Sequence, residues 1–159
     1  MDIFYEAHRL FLKRLLEFEI DFLLIGGFAV NFHGFNRPTG DMDIWLKPTN
    51  ENKEKFIKMI RSEGFNEEGI SYIAKLDFTK PCVFHTGQIP LRIDFLTFIT
   101  IVKFDEAFSQ KVLLPLGDKF VPVLHVNDLI LSKMTSDRIK DKLDVEELQK
   151  IIRINKRID

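Results

Sequence analysis

The sequence predicts an α/β (α+β) protein, in which a mixed β-sheet is flanked by helices and followed by a helical C-terminal part. Three observations predict this class. Apolar positions recur with helical spacing in residues 2–18. Short apolar runs of strand length follow, each ended by glycine or polar residues. After residue 100 the pattern changes, and residues 126–156 again have mostly helical spacing.

The elements of the first half follow from apolar runs and the residues that end them. The run "DFLLIGG" predicts a buried strand at 22–25, which the glycines end. The next residues suit a short helix from 27 to about 34, and "MDIWL" predicts a second strand at 42–46. A further helix is expected after it, with Asn50 as its N-cap and Gly64 as its stop.

The second half begins with three further strand candidates, "SYIAKLDF", "CVFHT" and "LRIDFLTFI". The "GQIP" turn between the last two predicts a hairpin. The segment "DEAFSQ" suits a short helix or turn, and two small strands are expected around the Gly117-Asp118 turn. Asn127 or Asp128 is expected to open the final helical region.

Domain organisation is predicted to be simple, because no repeat, low-complexity segment or linker divides the chain. We expect a single domain over residues 1–159, since this length suits one compact core. The motif-bearing core spans about 20–98, and the C-terminal helical part, at about 104–157, packs on it.

Composition limits the function classes. With 23 basic and 24 acidic residues the formal net charge is −1, which argues against a protein that mainly coats nucleic acid. The single cysteine, Cys82, excludes an intrachain disulfide, and its apolar context predicts strand packing rather than a reactive thiol. The first residues lack a signal-peptide pattern, and no apolar run approaches the roughly 20 residues of a membrane span. We therefore expect a cytoplasmic protein with no membrane partner.

Two carboxylates stand one residue apart at the front of an apolar strand, in "GDMDIWL". Residues i and i+2 of a strand face the same way, so Asp41 and Asp43 project together while Met42 and Ile44 face the core. Unpaired buried carboxylates are unfavourable. Mg²⁺ would neutralise this pair, because it takes oxygen ligands from carboxylates and from substrate phosphates.

A third carboxylate lies in "LRIDFLTF". Asp94 alternates with apolar residues and so points away from the apolar face of its strand. If this strand neighbours the strand at 42–46, Asp94 joins Asp41 and Asp43 in one cluster. Three carboxylates meet the requirement of a two-metal site.

A pair of glycines, Gly26-Gly27, lies between the first strand and a helix start. Free backbone N–H groups and the helix dipole attract phosphate there, and glycine lets the phosphate approach closely. Neither the glycine pair nor D-x-D is specific alone. Their combination is much more specific. In it, a strand, the glycine pair and a helix are followed by D-x-D, a second strand and an aspartate on a later strand.

The segment "LIGGFAVNFHGFNRPTGDMDIWL" together with "LRIDFL" resembles the nucleotidyltransferase (polymerase-β-like) fold. It is most similar to the small bacterial nucleotidyltransferases near the AbiEii-type toxins and related uncharacterised families. The specific motifs cover about residues 20–98. A looser similarity extends into "SKMTSDRIKDKLDVEEL", which looks like the helices that close the same families.

The resemblance implies roles for the three carboxylates. Asp41 and Asp43 would ligate the metals, and Asp94 would complete the site and assist deprotonation of the acceptor. Two Mg²⁺ ions are implied, with Mn²⁺ as a substitute.

The resemblance also implies a nucleotide site. Gly26 and Gly27 would hold the phosphates, and Arg37 and Thr39 would meet the triphosphate from the loop before the metal strand. Lys133 is the phosphate contact expected from the C-terminal helices. The chain departs from many members at Phe28, where a serine hydroxyl commonly follows the glycines.

Other interpretations of these residues stay open at this stage. Arg37 could instead pair with Asp41 or Asp43 when no metal is bound. His33 and His85 are more typical of packing residues than of ligands. In the segment from Lys133 to Asp144, spacings such as 140/144 match ion pairs within a helix. Such pairs would make most of this segment a structural face, and Lys133 would lie outside them.

Three functions are consistent with the sequence. The first is a Mg²⁺-dependent nucleotidyltransferase that moves a nucleoside monophosphate from NTP to an acceptor hydroxyl and releases pyrophosphate. The acceptor could be RNA, protein or a small molecule. The second is a catalytically weak or inactive nucleotide- or RNA-binding module, or a toxin–antitoxin component held by an antitoxin-like partner. The third is a metal-dependent phosphohydrolase that uses the same carboxylates.

Overall fold

A computed structural model describes residues 3–158 of the chain. Within these residues the strands are β1 (Phe22–Ile25), β2 (Met42–Leu46), β3 (Val83–Thr86), β4 (Ile93–Leu96), β5 (Val112–Leu116) and β6 (Lys119–Val123). The helices are α1 (Glu6–Glu17), α2 (Gly26–Phe32), α3 (Asn50–Ser62), α4 (Glu67–Ala74), α5 (Phe104–Ser109), α6 (Val126–Lys133) and α7 (Ile139–Ile158).

The six strands of the described chain form one mixed sheet in the order β3-β4-β2-β1-β6-β5. β2 pairs in parallel with β4 and antiparallel with β1, while β1 and β6 are parallel. The β3–β4 and β5–β6 pairs are antiparallel. The predicted fold class, a mixed sheet flanked by helices with a helical C-terminal part, is confirmed.

One face of the sheet carries the main aromatic core. Phe95 of β4 lies against Phe11 of α1 and Phe56 of α3, with ring centroids 5.8 and 5.1 Å apart. Met42 and Ile44 are fully buried, as predicted for the core side of β2. The opposite face of β2 carries Asp43 and Trp45, because successive side chains alternate.

The predicted strand "SYIAKLDF" is wrong, because residues 67–74 form α4. The Asn66 side chain accepts a hydrogen bond from the Gly69 N–H and caps this helix. Ile70 and Ile73 are buried three residues apart, which is helical spacing. The apolar content of the segment therefore serves one helix face.

Two helix starts also differ from prediction. Thr49, not Asn50, caps α3, because its side chain accepts from the Asn52 N–H. His125 caps α6 in the same way, where Asn127 or Asp128 was expected. Helix ends agree better with prediction, since α3 ends at Ser62 and Gly64 follows with φ +80°.

The remaining elements lie close to their predicted places. The β3–β4 hairpin is present, and β5 and β6 meet at Gly117, which has φ +63°. The final helical region is divided, since α6 ends at Lys133 and α7 begins at Ile139. No described helix is both long and apolar enough to cross a bilayer.

Candidate active site

The parallel pairing of β2 with β4 places two of the predicted carboxylates side by side. Asp43 and Asp94 are register partners, so the expectation that these strands are neighbours is confirmed. Asp41 comes directly before β2, on the same side of the strand as Asp43. The three carboxylates therefore approach one another at one edge of the sheet.

Electrostatics at this edge reflect that proximity. Burial, together with the negative charges of Asp94 and Asp41, raises the pKa of Asp43 to about 6. Lys133 and Lys140 oppose this effect only in part. Asp43 is thus a carboxylate that lacks sufficient positive charge around it.

Asp41 also lacks, among the described residues, a group that would compensate one oxygen of its carboxylate. Its Oδ1 atom is buried and has no hydrogen-bond partner among residues 3–158. A buried carboxylate oxygen without a partner is costly, and a hard cation is the ligand that satisfies it. The donor chemistry of Asp41 and Asp43 therefore fits a divalent metal ion.

Asp94 differs from the other two carboxylates because it has a cation. The Arg92 Nε donates to Asp94 Oδ1 at 3.0 Å. No group of three His, Cys, Asp or Glu side chains in the described part of the chain is arranged to hold a metal ion. Arg92 was missed by sequence reasoning, although the i, i+2 spacing in "RID" places it on the same strand face as Asp94.

The glycine pair lies directly against this cluster. Gly26 has φ +68°, and a Cβ there would overlap the carboxylate of Asp43. A Cβ at Gly27 would overlap the side chain of Thr39 and lie 3.3 Å from Arg37 Nη1. Both positions thus exclude a side chain, because the Asp43 and Thr39 side chains occupy that space.

The predicted phosphate-binding cations lie in a separate network of ion pairs. Arg37 binds both oxygens of Asp144, with Nε–Oδ1 at 2.7 Å and Nη2–Oδ2 at 2.8 Å. Lys133 lies 3.1 Å from Asp144 and 2.9 Å from Asp141. Arg37 therefore does not pair with Asp41 or Asp43.

This network also corrects the ion pairs predicted within the final helix. Asp144 is fully buried and bonds to Arg37 and Lys133, neither of which lies on α7. Lys133 was expected to lie outside such pairs and instead makes two of them. The local spacing of Lys140 and Asp144 does not determine the pairing, because Asp144 faces inward.

The aromatic residue after the glycines belongs to the core. Phe28 is 2% exposed and stacks on Phe4 with ring centroids 5.6 Å apart. His8 meets it edge to face at 5.5 Å. Phe28 thus packs α2 against the N-terminal region rather than facing the carboxylates.

The two histidines differ from each other. His33 is a packing residue as expected, since its Nε2 lies 2.7 Å from the Leu124 carbonyl oxygen and burial lowers its pKa. His85 is exposed, and it is the register partner of Asp94 on β3. His85, on the edge strand β3, therefore ends the row of register partners that runs across the sheet through Asp94 and Asp43.

Two open cavities lie near the glycine pair. One, of about 300 Å³, lies between the end of β4 and α6, and its lining includes Gly26, Phe98 and Lys133. The other, of about 360 Å³, is lined by residues that include Arg37 and Thr39. The first cavity thus adjoins Gly26, and neither lining includes Asp41, Asp43 or Asp94.

No family model matches the chain, and no curated protein matches it. Solved structures do match. A lincosamide antibiotic adenylyltransferase, LnuA, in its lincomycin-bound form has a TM-score of 0.55 and 12% identity, over 95% of this chain and 99% of that chain. An antigenic nucleotidyltransferase-like protein from Paracoccidioides brasiliensis has the same TM-score and identity, over 92% of this chain and 73% of that chain.

These neighbours are a nucleotidyltransferase and a nucleotidyltransferase-like protein, and the likeness at this identity is one of fold. The narrower similarity to AbiEii-type toxins is not confirmed by them. The chain therefore has the nucleotidyltransferase fold that its glycine pair and aspartates predict.

Proposed function

We propose that the protein is a divalent-metal-dependent nucleotidyltransferase. It would transfer a nucleoside monophosphate from NTP to an acceptor hydroxyl and release pyrophosphate. The observation that carries this proposal is that Asp43, the register partner of Asp94, lies against Gly26 with too little positive charge around it. The fold shared with an adenylyltransferase supports it.

Asp41 and Asp43 are the residues that would hold Mg²⁺ or Mn²⁺, because their carboxylates are the least neutralised of the cluster. When bound, the metal would supply positive charge that compensates the carboxylates and the phosphates. Asp94 would join this ligand set after exchanging its contact with Arg92. Arg92 would then be free to donate to a phosphate oxygen.

The chain's own groups would perform the positioning. Backbone N–H groups at Gly26 and Gly27 would bind the phosphates, and Thr39, Arg37 and Lys133 would lie beside them. The acceptor oxygen forms the new bond to the α-phosphorus as the bond to the bridging oxygen breaks. Pyrophosphate leaves, and the hydroxyl proton passes to Asp94 and then to water. Positioning and charge neutralisation account for most of the catalysis in this reaction class.

We further propose a small-molecule acceptor. The adenylyltransferase neighbour is matched over 99% of its length, and its structure contains lincomycin. A chain of this size with this fold thus suffices to bind a small molecule. The nearly balanced charge of the present chain also disfavours a large RNA acceptor.

A transfer assay tests the proposal. The protein is incubated with each α-labelled NTP, Mg²⁺ and a panel of hydroxyl-bearing small molecules, and labelled product and pyrophosphate are measured. Asp43→Ala should lower transfer by roughly 100- to 1,000-fold, whereas Asp118→Asn, in the exposed β5–β6 turn, should not. Full turnover in a folded Asp43→Ala variant would refute the assignment.

One alternative has a specific observation in its favour. Arg37 and Lys133 are both ion-paired, and Phe28 provides no hydroxyl to the phosphates. These features suit a module that binds nucleotide without transferring it. That module would bind NTP and release neither pyrophosphate with an acceptor nor phosphate with water. An antitoxin-like partner and a cytoplasmic location stay predictions.

A further inference from the structure

We propose that Asp144 is a positioning residue, whose buried carboxylate holds Arg37 and Lys133 beside the glycine turn. The two cations would thereby be oriented to bind the triphosphate. This inference rests on the proposed function, since it concerns the nucleotide at the same site.

Asp144 is buried and binds both cations. Its side chain is 0% exposed, and those of Arg37 and Lys133 are 10% and 12% exposed. Arg37 uses two nitrogens on the two carboxylate oxygens, and Lys133 adds a third contact at 3.1 Å. Arg37 lies 107 residues from Asp144 in sequence and Lys133 lies on α6, so one carboxylate joins three separate parts of the chain.

Arg37 and Lys133 have more N–H groups than their bonds within the described part of the chain use. Arg37 has five N–H groups, and its recorded bonds go to Asp144 twice and to the Pro38 carbonyl oxygen. Lys133 has three, and it contacts Asp141 and Asp144. The two cations and two carboxylates have no net formal charge together. What they offer a phosphate is therefore a set of oriented N–H groups rather than surplus charge.

The N–H groups of both cations lie near the glycine turn. Arg37 Nη1 lies 3.3 Å from the place that a Cβ of Gly27 would occupy. Lys133 lines the cavity to which Gly26 also contributes. Both cations thus lie beside the glycine turn, and Asp144 binds both.

A purely structural role is the competing interpretation, because the same bonds also attach α7 to the loop before β2. The two roles differ in what they predict for ligands. A structural carboxylate should affect every ligand of the site alike, whereas a positioning carboxylate should affect only ligands that carry the triphosphate.

The experiment compares Asp144→Asn with wild type. Each of the four NTPs is titrated with Mg²⁺ by calorimetry, and the corresponding nucleosides are followed by saturation-transfer NMR, which detects weak ligands. We expect NTP binding at least tenfold weaker in the variant, with nucleoside binding changed by less than twofold. Glu147→Gln is the matched control and should leave both unchanged, because Glu147 lies on the same helix and its ion pair within residues 3–158 is with Lys150.

Several outcomes would overturn the inference. Unchanged NTP affinity would do so, and tighter NTP binding would show that Asp144 competes with phosphate for the cations. An equal loss for NTP and nucleoside would assign a structural role. A wild-type protein that binds no NTP would instead refute the proposed function, and the inference with it.

Asp144→Glu keeps the test decisive if the asparagine variant does not fold, which circular dichroism would report. Glutamate retains the charge but extends the carboxylate by one methylene, so both cations should move. We expect the same selective loss of NTP binding, smaller than that of Asp144→Asn. Wild-type NTP affinity in a folded Asp144→Glu variant would contradict the inference.

Discussion

Two clusters of charged side chains lie next to the glycine turn, and they differ in how their charge is balanced. Within the described residues, the cluster at the ends of β2 and β4 has three carboxylates and one directly bonded cation, Arg92. The cluster between α6, α7 and the loop before β2 pairs Arg37 and Lys133 with two aspartates. The first cluster has unmet negative charge, whereas the formal charges of the second cluster balance.

The difference indicates which cluster needs a ligand. Partly buried like charges persist where something opposite is bound, and a raised carboxylate pKa marks such a place. A buried ion pair in good geometry is already neutral, and removing one partner destabilises the protein. Deleting a carboxylate should therefore have opposite effects on stability in the two clusters.

The largest effect is expected in the balanced cluster. Asp144→Ala leaves Arg37 and Lys133 buried without their shared carboxylate, and the free energy of unfolding should fall by about 3 kcal/mol. Urea unfolding at pH 7.5 measures it. The surface variant Glu147→Gln should change stability by less than about 0.5 kcal/mol. A loss equally small in Asp144→Ala would show that the buried pairs contribute little.

The opposite sign is expected in the unbalanced cluster. The folded-state pKa of Asp43 is about 6 against an ordinary value of 3.8, so its proton is held more tightly in the folded protein. This contribution to stability is full below pH 3.8 and is lost as pH rises through 6. Without metal, Asp43→Asn should therefore be more stable than wild type at pH 7.5, by about 2 kcal/mol.

Urea unfolding in EDTA at pH 4 and pH 7.5 checks this prediction, because the difference between variant and wild type should shrink toward acid pH. Asp118→Asn serves as the control, since its carboxylate is exposed in a turn. If Asp43→Asn proved less stable than wild type at pH 7.5, the carboxylate cluster would not be short of positive charge.

The same two clusters show what the sequence could predict. The side-chain alternation of β-strands fixed the faces of Asp43 and Asp94, so only the pairing of their strands had to be inferred, and that inference was right. The bond between Arg37 and Asp144 joins residues 107 positions apart. Local spacing instead suggested Lys140 as the partner of Asp144, since helical periodicity reports only neighbours on the same helix.

Other misses have similar physical causes. The apolar content of residues 71–78 does not distinguish a strand from a helix, and the Asn66 cap upstream was the signal that could have decided it. Arg92 was visible in the strand pattern, but its contact with Asp94 depends on a rotamer that no pattern specifies. Phe28 was singled out in the sequence as a departure from the family pattern, while its packing against Phe4 and His8 required the fold.

The central claim is that the unbalanced carboxylates form a metal-dependent nucleotide site. Calorimetric titration of the four NTPs, with Mg²⁺ and with EDTA, tests it most directly in wild type, the double variant Asp41→Asn/Asp43→Asn and the control Asp118→Asn. We predict binding of at least one NTP that requires Mg²⁺, is lost in the double variant and is retained in the control. No NTP binding to wild type, or undiminished binding to the double variant, would contradict the claim.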